Sequence, residues 1–558
     1  MEKRKKIGNV IIDYSHYSDK YIYSDGEIED TLLSACKDGQ EDVLLKKSNK
    51  WPVLYHLSDI RENVIEWYPL KDNADVLEIG SGCGAITGIL SKKVKSVTCI
   101  ELSERRSMIN AYRHKDCDNI QIKLGNFQDI ESTLSKFDYI TLIGVWKYAG
   151  SYISGNNPFG DMLSIAQKHL KKDGKLIIAI ENKMGIKYLN GAPEDHTGNL
   201  YDGVNDYIGG ASVRTFSKNE VESMLNEAGF QNVEFYFPIP DYKLPSAIYS
   251  DKYLPSPGSL RTYKKNYSQS RLYNFYEDVV CDQLCADGQF DYMSNSFVVC
   301  AGIDKCDVLF AKYNRERKKE FRTATYIVQE DNNKKVIKCP LNAASKQHII
   351  SLEANTKKWK GTMPNITCDM GRIEGNRYIS EFTSGTTLSE RMYKYRNDIN
   401  AFIEVLKKII DKYFGIDERL LEPFTITDEY VAIFGNIAPK NATSLKITNI
   451  DMVLTNLVLK DDGQLYAIDF EWVFEFPVPY RYVIWRLIRE SYRLYLAYLK
   501  PQMNIDSFMK KLSFPVEETE IYEKMEKSFL EYVMGDNKNE VYTVQYRKNV
   551  MIQNTRFC

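Results

Sequence analysis

The run VLEIGSGCGAIT (76–87) constrains the fold more than any other stretch of this chain. Aliphatic residues and an acid come first, then glycines at every second position, then a new apolar run. Val76–Ile79 reads as a buried strand and Ile86–Lys93 as the helix that follows it. Between them Gly80, Gly82 and Gly84 permit a tight turn in which the backbone comes close to a ligand. The N-terminus of the following helix faces the same place, where its free N–H groups favour electron-rich atoms.

The pattern continues downstream. Ser96–Ile100, Ile120–Leu124, Tyr139–Ile143 and Lys175–Ile180 read as strands. Glu104–His114 and Met162–Leu170 read as helices. Strands alternating with helices imply a parallel sheet covered on both faces. Residues 217–230 read as a helix ended by Gly229, and 232–240 and 294–302 as two further strands. Residues 51–70 carry Leu54, Leu57, Ile60, Val64, Ile65 and Tyr68 at helical spacing. The stretch 239–270 is rich in Pro, Tyr and Ser, and 312–321 reads as a charged run.

A bare G-x-G pattern is shared by nicotinamide enzymes. Three features point instead to S-adenosylmethionine. The glycines follow an acid, Glu78, in the spacing E-x-G-x-G-x-G. Glu101, about 20 residues on, ends the next strand, where a carboxylate accepts both ribose hydroxyls. LGNFQDI (124–130) follows the third strand, where Asn126 and Phe127 are placed to flank an adenine. Ser81, Leu102 and Gly144, at the ends of the same strands, complete the expected donor site. The acceptor is expected at the ends of the fourth and fifth strands. There Trp146, Tyr148 and Tyr188 offer a face for a sugar ring, and Asp195 and His196 offer groups to orient or deprotonate a hydroxyl.

The second half carries a different constellation. ITNIDMVLTNLVLKDDGQLYAIDFEWVF (447–474) brings Asp451, Asn456 and Asp469 to one end of a small hairpin. Phosphoryl transfer needs a base and oxygen ligands for magnesium. Asp451 suits the base; Asn456 and Asp469 suit the metal. Lys338 lies in a strand, as a phosphate-pairing lysine would, and Glu353 in the next helix is placed to pair with it. Residues 379–390 have the look of a hinge.

Residues 50–305 resemble class I S-adenosylmethionine-dependent methyltransferases. That implies a Rossmann-like α/β domain with a seven-stranded sheet, the last strand antiparallel. It also implies that the glycine turn holds the methionine part and that Glu78 orients the turn or the methionine amine. Residues 306–558 resemble the bilobal α+β, protein-kinase-like fold of aminoglycoside and choline phosphotransferases, which implies ATP and Mg2+. The departures are Asn449 where that family has His, a first hairpin without glycines, and DFEW (469–472) in place of DFG. Both an active kinase and a binding or scaffold module stay open. The whole chain resembles bacterial bifunctional methyltransferase–kinase proteins of O-antigen and surface-polysaccharide synthesis. The matching stretches include YHLSDIRENVIEWYP, IENKMGIKYLNGAPEDHTG and IDFEWVFEFPVPYRYVIWRLI. That implies a sugar or polysaccharide acceptor and work beside glycosyltransferases at the membrane. The expected organisation is an N-terminal extension (1–50), the methyltransferase domain (51–305), an N-lobe (306–380) and a C-lobe (381–558).

Composition narrows the classes. Lys plus Arg is 74 against 76 acids, a balance that speaks against a nucleic-acid binder. No run approaches the ~20 apolar residues of a membrane span. The basic N-terminus lacks the apolar core of a signal peptide. The eleven cysteines show no zinc-type spacing around Cys281 and Cys285. The expected place of action is the cytoplasm, at the inner face of the membrane.

Overall fold

In the computed structural model the described residues are 3–18, 24–263 and 273–535. The glycine turn sits at the centre of a parallel sheet. Its strands are β1 (Arg4–Ile7), β2 (Val10–Asp13), β3 (Asp75–Ile79), β4 (Ser96–Glu101), β5 (Ile120–Leu124), β6 (Phe137–Ile143) and β7 (Leu170–Glu181), followed by β8 (Val233–Ile239), β9 (Ala247–Ser250) and β10 (Ser296–Ala301). The spatial order is β1-β2-β5-β4-β3-β6-β7-β10-β8-β9. β3 pairs in parallel with β4 on one side and β6 on the other. β10 is inserted antiparallel between β7 and β8. Seven strands, β5 to β8 in that order, therefore form the expected Rossmann-like sheet with one reversed strand.

The sheet does not stop there. β1 and β2 form a hairpin whose second strand lies parallel to β5, so the first residues of the chain extend the sheet. At the other edge β9 pairs with β8 and also with β11 (Val308–Tyr313). β12 (Thr323–Glu330) and β13 (Asn333–Pro340) continue it as the expected hairpin, closed between Glu330 and Asn333. Hydrogen bonding thus runs without a break across position 305. Two strands fall where the sequence suggested none. β9 lies in the Pro/Tyr/Ser-rich stretch, and β11 overlaps the charged run. In β11 Leu309, Ala311 and Tyr313 point inward, while Lys312 points out. The apolar neighbours on both faces hide that period of two.

The helix expected over 51–70 is interrupted. It forms over Trp51–Leu57, stops at an extended Ser58, and resumes as a tighter turn over Asp59–Glu62. The Ser58 hydroxyl accepts from the Ile60 amide, the local competition that makes serine a capping residue. The resumed turn is clamped from the far side. Arg315 donates to Asn63 at 2.6 Å, and Arg322 pairs with Asp59 at 3.1 Å. Beyond 385 the chain is mainly helical around a large core that includes Phe402, Leu406, Trp485 and Phe529. No helix among the described residues is long and apolar enough to cross a membrane.

Candidate functional site

The glycine turn opens onto a cavity of about 600 Å3 at the carboxyl ends of β3, β4, β5 and β6. Glu78, Gly80, Ser81, Gly82, Glu101, Leu102, Asn126, Phe127 and Gly144 all line it. Gly84 does not. Its role is packing: a Cβ there would lie 2.3 Å from the Asn110 carboxamide oxygen. Gly82 is different. Its φ is +53°, and a Cβ would meet no protein atom within 4 Å. The space it leaves belongs to the cavity.

Glu101 holds the turn in place. One carboxylate oxygen accepts from the Gly82 amide at 2.8 Å and the other from the Ser103 amide at 2.9 Å. A carboxylate has about four lone-pair sites, so acceptor capacity is left for two hydroxyls. Glu78 accepts from the Thr87 hydroxyl at 2.6 Å, which ties the strand to the start of the next helix. Burial pushes its pKa up to about 7. Asn126 is spent on structure. It caps the Phe127 helix through Gln128 and donates to the Tyr152 carbonyl at 2.7 Å. Phe127 keeps its ring on the cavity wall, while the Asn126 amide is committed to the fold.

The acceptor end differs more from expectation. Tyr148 lines the cavity, but Trp146 is fully buried, with its indole N–H donated to the Phe159 carbonyl at 3.0 Å. Tyr188 is buried as well and donates to Asp195. The three rings make no shared face. Asp195 is held by Lys243 at 2.6 Å and Lys187 at 3.0 Å. His196 sits against Tyr148, with Nδ1 3.3 Å from the hydroxyl, and its buried Nε2 has no partner. Burial and then Lys147 push its pKa down to about 3, so the ring is neutral at pH 7.

Sequence reasoning passed over the side chains that complete this end. Lys147 donates to both Glu181 oxygens at 2.8 Å and to Tyr242 at 3.1 Å. Lys243 lies 3.1 Å from Glu181. Burial opposes a charged Lys147, but Glu181 outweighs it and holds its pKa well above the usual range. A signal existed. Lys147 and Glu181 follow the ends of two neighbouring parallel strands, in which Ile143 pairs with Ala179. Missed too was the N-terminal cover: Asp25, Trp51, Tyr55 and His56 line the cavity. Arg106 pins that cover through Glu29 at 2.7 Å and Asp25 at 2.8 Å.

The second cluster lies around Lys338. Its ammonium pairs with Asp469 at 2.7 Å and Glu471 at 2.7 Å. The expected Glu353 pairing is not made, because Glu353 accepts from the Ile373 amide at 2.7 Å. Glu471, the residue by which DFEW departs from DFG, takes its place. Arg317 also pairs with Glu471. Burial acts to raise the Glu471 pKa, but Lys338 and Arg317 hold it well below the usual carboxylate range. Asp451 pairs with Arg486 at 2.9 Å, and Asn456 turns its amide to the Asp451 carbonyl at 3.0 Å. Among the described residues no group of three or more His, Cys, Asp or Glu is placed to hold a metal ion.

A family model described as a methyltransferase domain matches residues 54–235. A ribosomal RNA small subunit methyltransferase A from Fusobacterium nucleatum is 36% identical over 70 residues, 12% of this chain and 26% of that protein. One of the same name from Borreliella burgdorferi is 27% identical over 116 residues, 19% of this chain and 41% of that protein. The chain thus spans less than half the length of these curated relatives. Among solved structures, the N-methyltransferase NodS from Bradyrhizobium japonicum in complex with S-adenosylhomocysteine is similar at 19% identity. It covers 36% of this chain and 88% of that one, with a TM-score of 0.25. The matched segment of this chain is a class I S-adenosylmethionine-dependent methyltransferase domain.

Proposed function

We propose that this protein transfers a methyl group from S-adenosylmethionine to a glycan or sugar-phosphate acceptor in surface-polysaccharide synthesis. One observation carries the donor: the Gly82 amide and Glu101 carboxylate are bonded at 2.8 Å on the wall of a cavity of about 600 Å3. The donor, when bound, supplies an electrophilic methyl group on a sulfonium. The chain's own residues do the rest. The turn and Glu101 position the donor, Phe127 covers one side, and the N-terminal helices exclude water. Alignment of reactants in such a pocket supplies much of the rate enhancement. Calorimetry with S-adenosylhomocysteine tests this, with Gly82→Val as the variant that loses binding.

The glycan acceptor rests on the resemblance of the whole chain to bifunctional polysaccharide enzymes, with Trp51, Tyr55 and Tyr148 as aromatic lining. The curated relatives are named for ribosomal RNA, but the similarity covers only 12% and 19% of this chain. The near-equal 74 basic and 76 acidic residues favour a non-RNA acceptor. Work beside membrane glycosyltransferases is part of the same proposal.

For the C-terminal half the reading is a kinase-like module that binds or scaffolds. The Lys338 ammonium sits on Asp469 Oδ1, and Asp451, the expected base, is held by Arg486. Use of ATP there would have to compete with both ion pairs. Turnover of ATP by the purified protein, abolished by Asp451→Ala, would reverse that reading.

A further inference from the structure

Charged side chains at the acceptor end form one alternating series. Lys147 pairs with Glu181, Glu181 with Lys243, Lys243 with Asp195, Asp195 with Lys187, and Lys187 with Asp241 at 3.6 Å. Each lysine thus has a carboxylate of its own, and every one of these side chains is at least nine-tenths buried. An acceptor that carried charge would have to break this series or leave a charge without a counterion. Either costs far more than seating a neutral group. Three cavity-lining side chains keep buried atoms without partners among the described residues: the Ser81 hydroxyl at the glycine turn and, at the acceptor end, the Arg61 Nε donor and the His196 Nε2 nitrogen. Arg61 Nη1 donates to the Tyr242 and Lys243 carbonyls, and its guanidinium lies 4.3 Å from the Tyr55 ring centre. One spare donor and one spare acceptor complement a hydroxyl, which accepts one hydrogen bond and donates another.

We propose that the methyl acceptor is an uncharged hydroxyl, rather than an amine or a phosphate, and that His196 Nε2 takes its proton. This rests on the donor reading above and narrows its acceptor. The hydroxyl oxygen bonds to the methyl carbon as the carbon–sulfur bond breaks. The electron pair of that bond stays on sulfur, turning the sulfonium into a neutral thioether. The hydroxyl proton passes to His196 Nε2 and then to solvent, and the product is a methyl ether. The neutral imidazole has a lone pair to receive it, and because burial lowers its pKa to about 3 the ring passes the proton on rather than holding it. Tyr148, at Nδ1, holds the ring in place.

Charge preference can be read without knowing the acceptor. Wild-type protein loaded with S-adenosylhomocysteine is titrated calorimetrically with inorganic phosphate and with methylammonium. We expect neither ion to bind below about 10 mM, and Asp195→Asn, which leaves Lys147 and Lys243 to share Glu181, to gain phosphate affinity by about tenfold or more. Glu181→Gln, which unbalances Lys147 instead, should gain it too and serves if Asp195→Asn does not fold. Sub-millimolar binding of either ion by the wild type would overturn the proposal. In a second arm, labelled donor is supplied with a mixture of neutral oligosaccharides, hexosamines and sugar phosphates. Label in alkali-stable methyl ethers supports the proposal; label in methylamines or methyl phosphate esters overturns it. His196→Asn should lower kcat about 100-fold while S-adenosylhomocysteine affinity holds. A wild-type protein that does not bind S-adenosylhomocysteine would instead remove the donor reading itself.

Discussion

At the glycine turn, charged side chains surround an open space; around Lys338 they surround one another. Both regions are rich in buried charge, and both were marked in the sequence by acids at the ends of strands. In the first, Glu101 spends two bonds on backbone amides and still faces a cavity of about 600 Å3, with Ser81 Oγ and His196 Nε2 unpartnered on its wall. In the second, Lys338, Asp469, Glu471 and Arg317 are bonded to one another, and among the described residues beside them only His348 Nε2, 3.6 Å from Glu471, is left without a hydrogen bond. Buried polar atoms without partners are uncommon and mark places where something else binds. Ion pairs bonded to one another often serve the fold alone.

This contrast can be broken in several ways. Lys338→Met would take the ammonium from both Glu471 and Asp469, so we expect a loss of about 4 kcal/mol in urea unfolding. Much of it should return in the double variant with Glu471→Leu. A fully stable Lys338→Met protein would show that the cluster is not structural. Gly82→Val should weaken S-adenosylhomocysteine about 100-fold, about 3 kcal/mol by calorimetry, because its side chain enters the cavity from a backbone at φ +53°. Retained affinity would place the donor elsewhere.

A smaller effect concerns Glu78. Its pKa rises on folding from 4.5 to about 7 through burial. An acid raised in the folded state contributes its stability in full below 4.5 and loses it as pH climbs through about 7. Glu78→Gln removes that loss. Its stability relative to wild type should therefore improve by about 2 kcal/mol between pH 5 and pH 8, measured by denaturant midpoints. An unchanged difference would mean that Glu78 titrates like an exposed acid. Smallest is Asp451→Asn, which keeps the shape but weakens the Arg486 pair. About 1 kcal/mol of stability should go, with methyl transfer unaffected.

The donor half was readable because its signals are local. Gly80 to Gly84, Glu78 and Glu101 sit at the ends of strands that the alternation of strand and helix places in one parallel sheet. Gly84 and Asn126 show the limit of that reading. Both belong to the right loops, yet one serves the packing of Asn110 and the other caps a helix. Pattern gives a residue's address, and only its neighbours give its work. Trp146 and Tyr188 failed for the same reason: both lie near the acceptor end, but their polar atoms are turned to Phe159 and Asp195.

By itself the sequence determined the β–glycine–α unit, the alternation of strands and helices around it and the acid at the end of the next strand. These depend on short-range periodicity and on the conformations that glycine alone adopts freely. Only the tertiary structure decided what joined them. It ran one sheet through β9 and β11 across the expected domain boundary. It folded residues 25–61 over the cavity and gave Lys338 to Glu471 rather than Glu353. It also threaded Lys147, Glu181, Lys243 and Asp195 into one neutral series. Those partners lie tens to hundreds of positions apart. Which of many possible acids a buried lysine meets is set by the packing of the whole chain, not by its spacing.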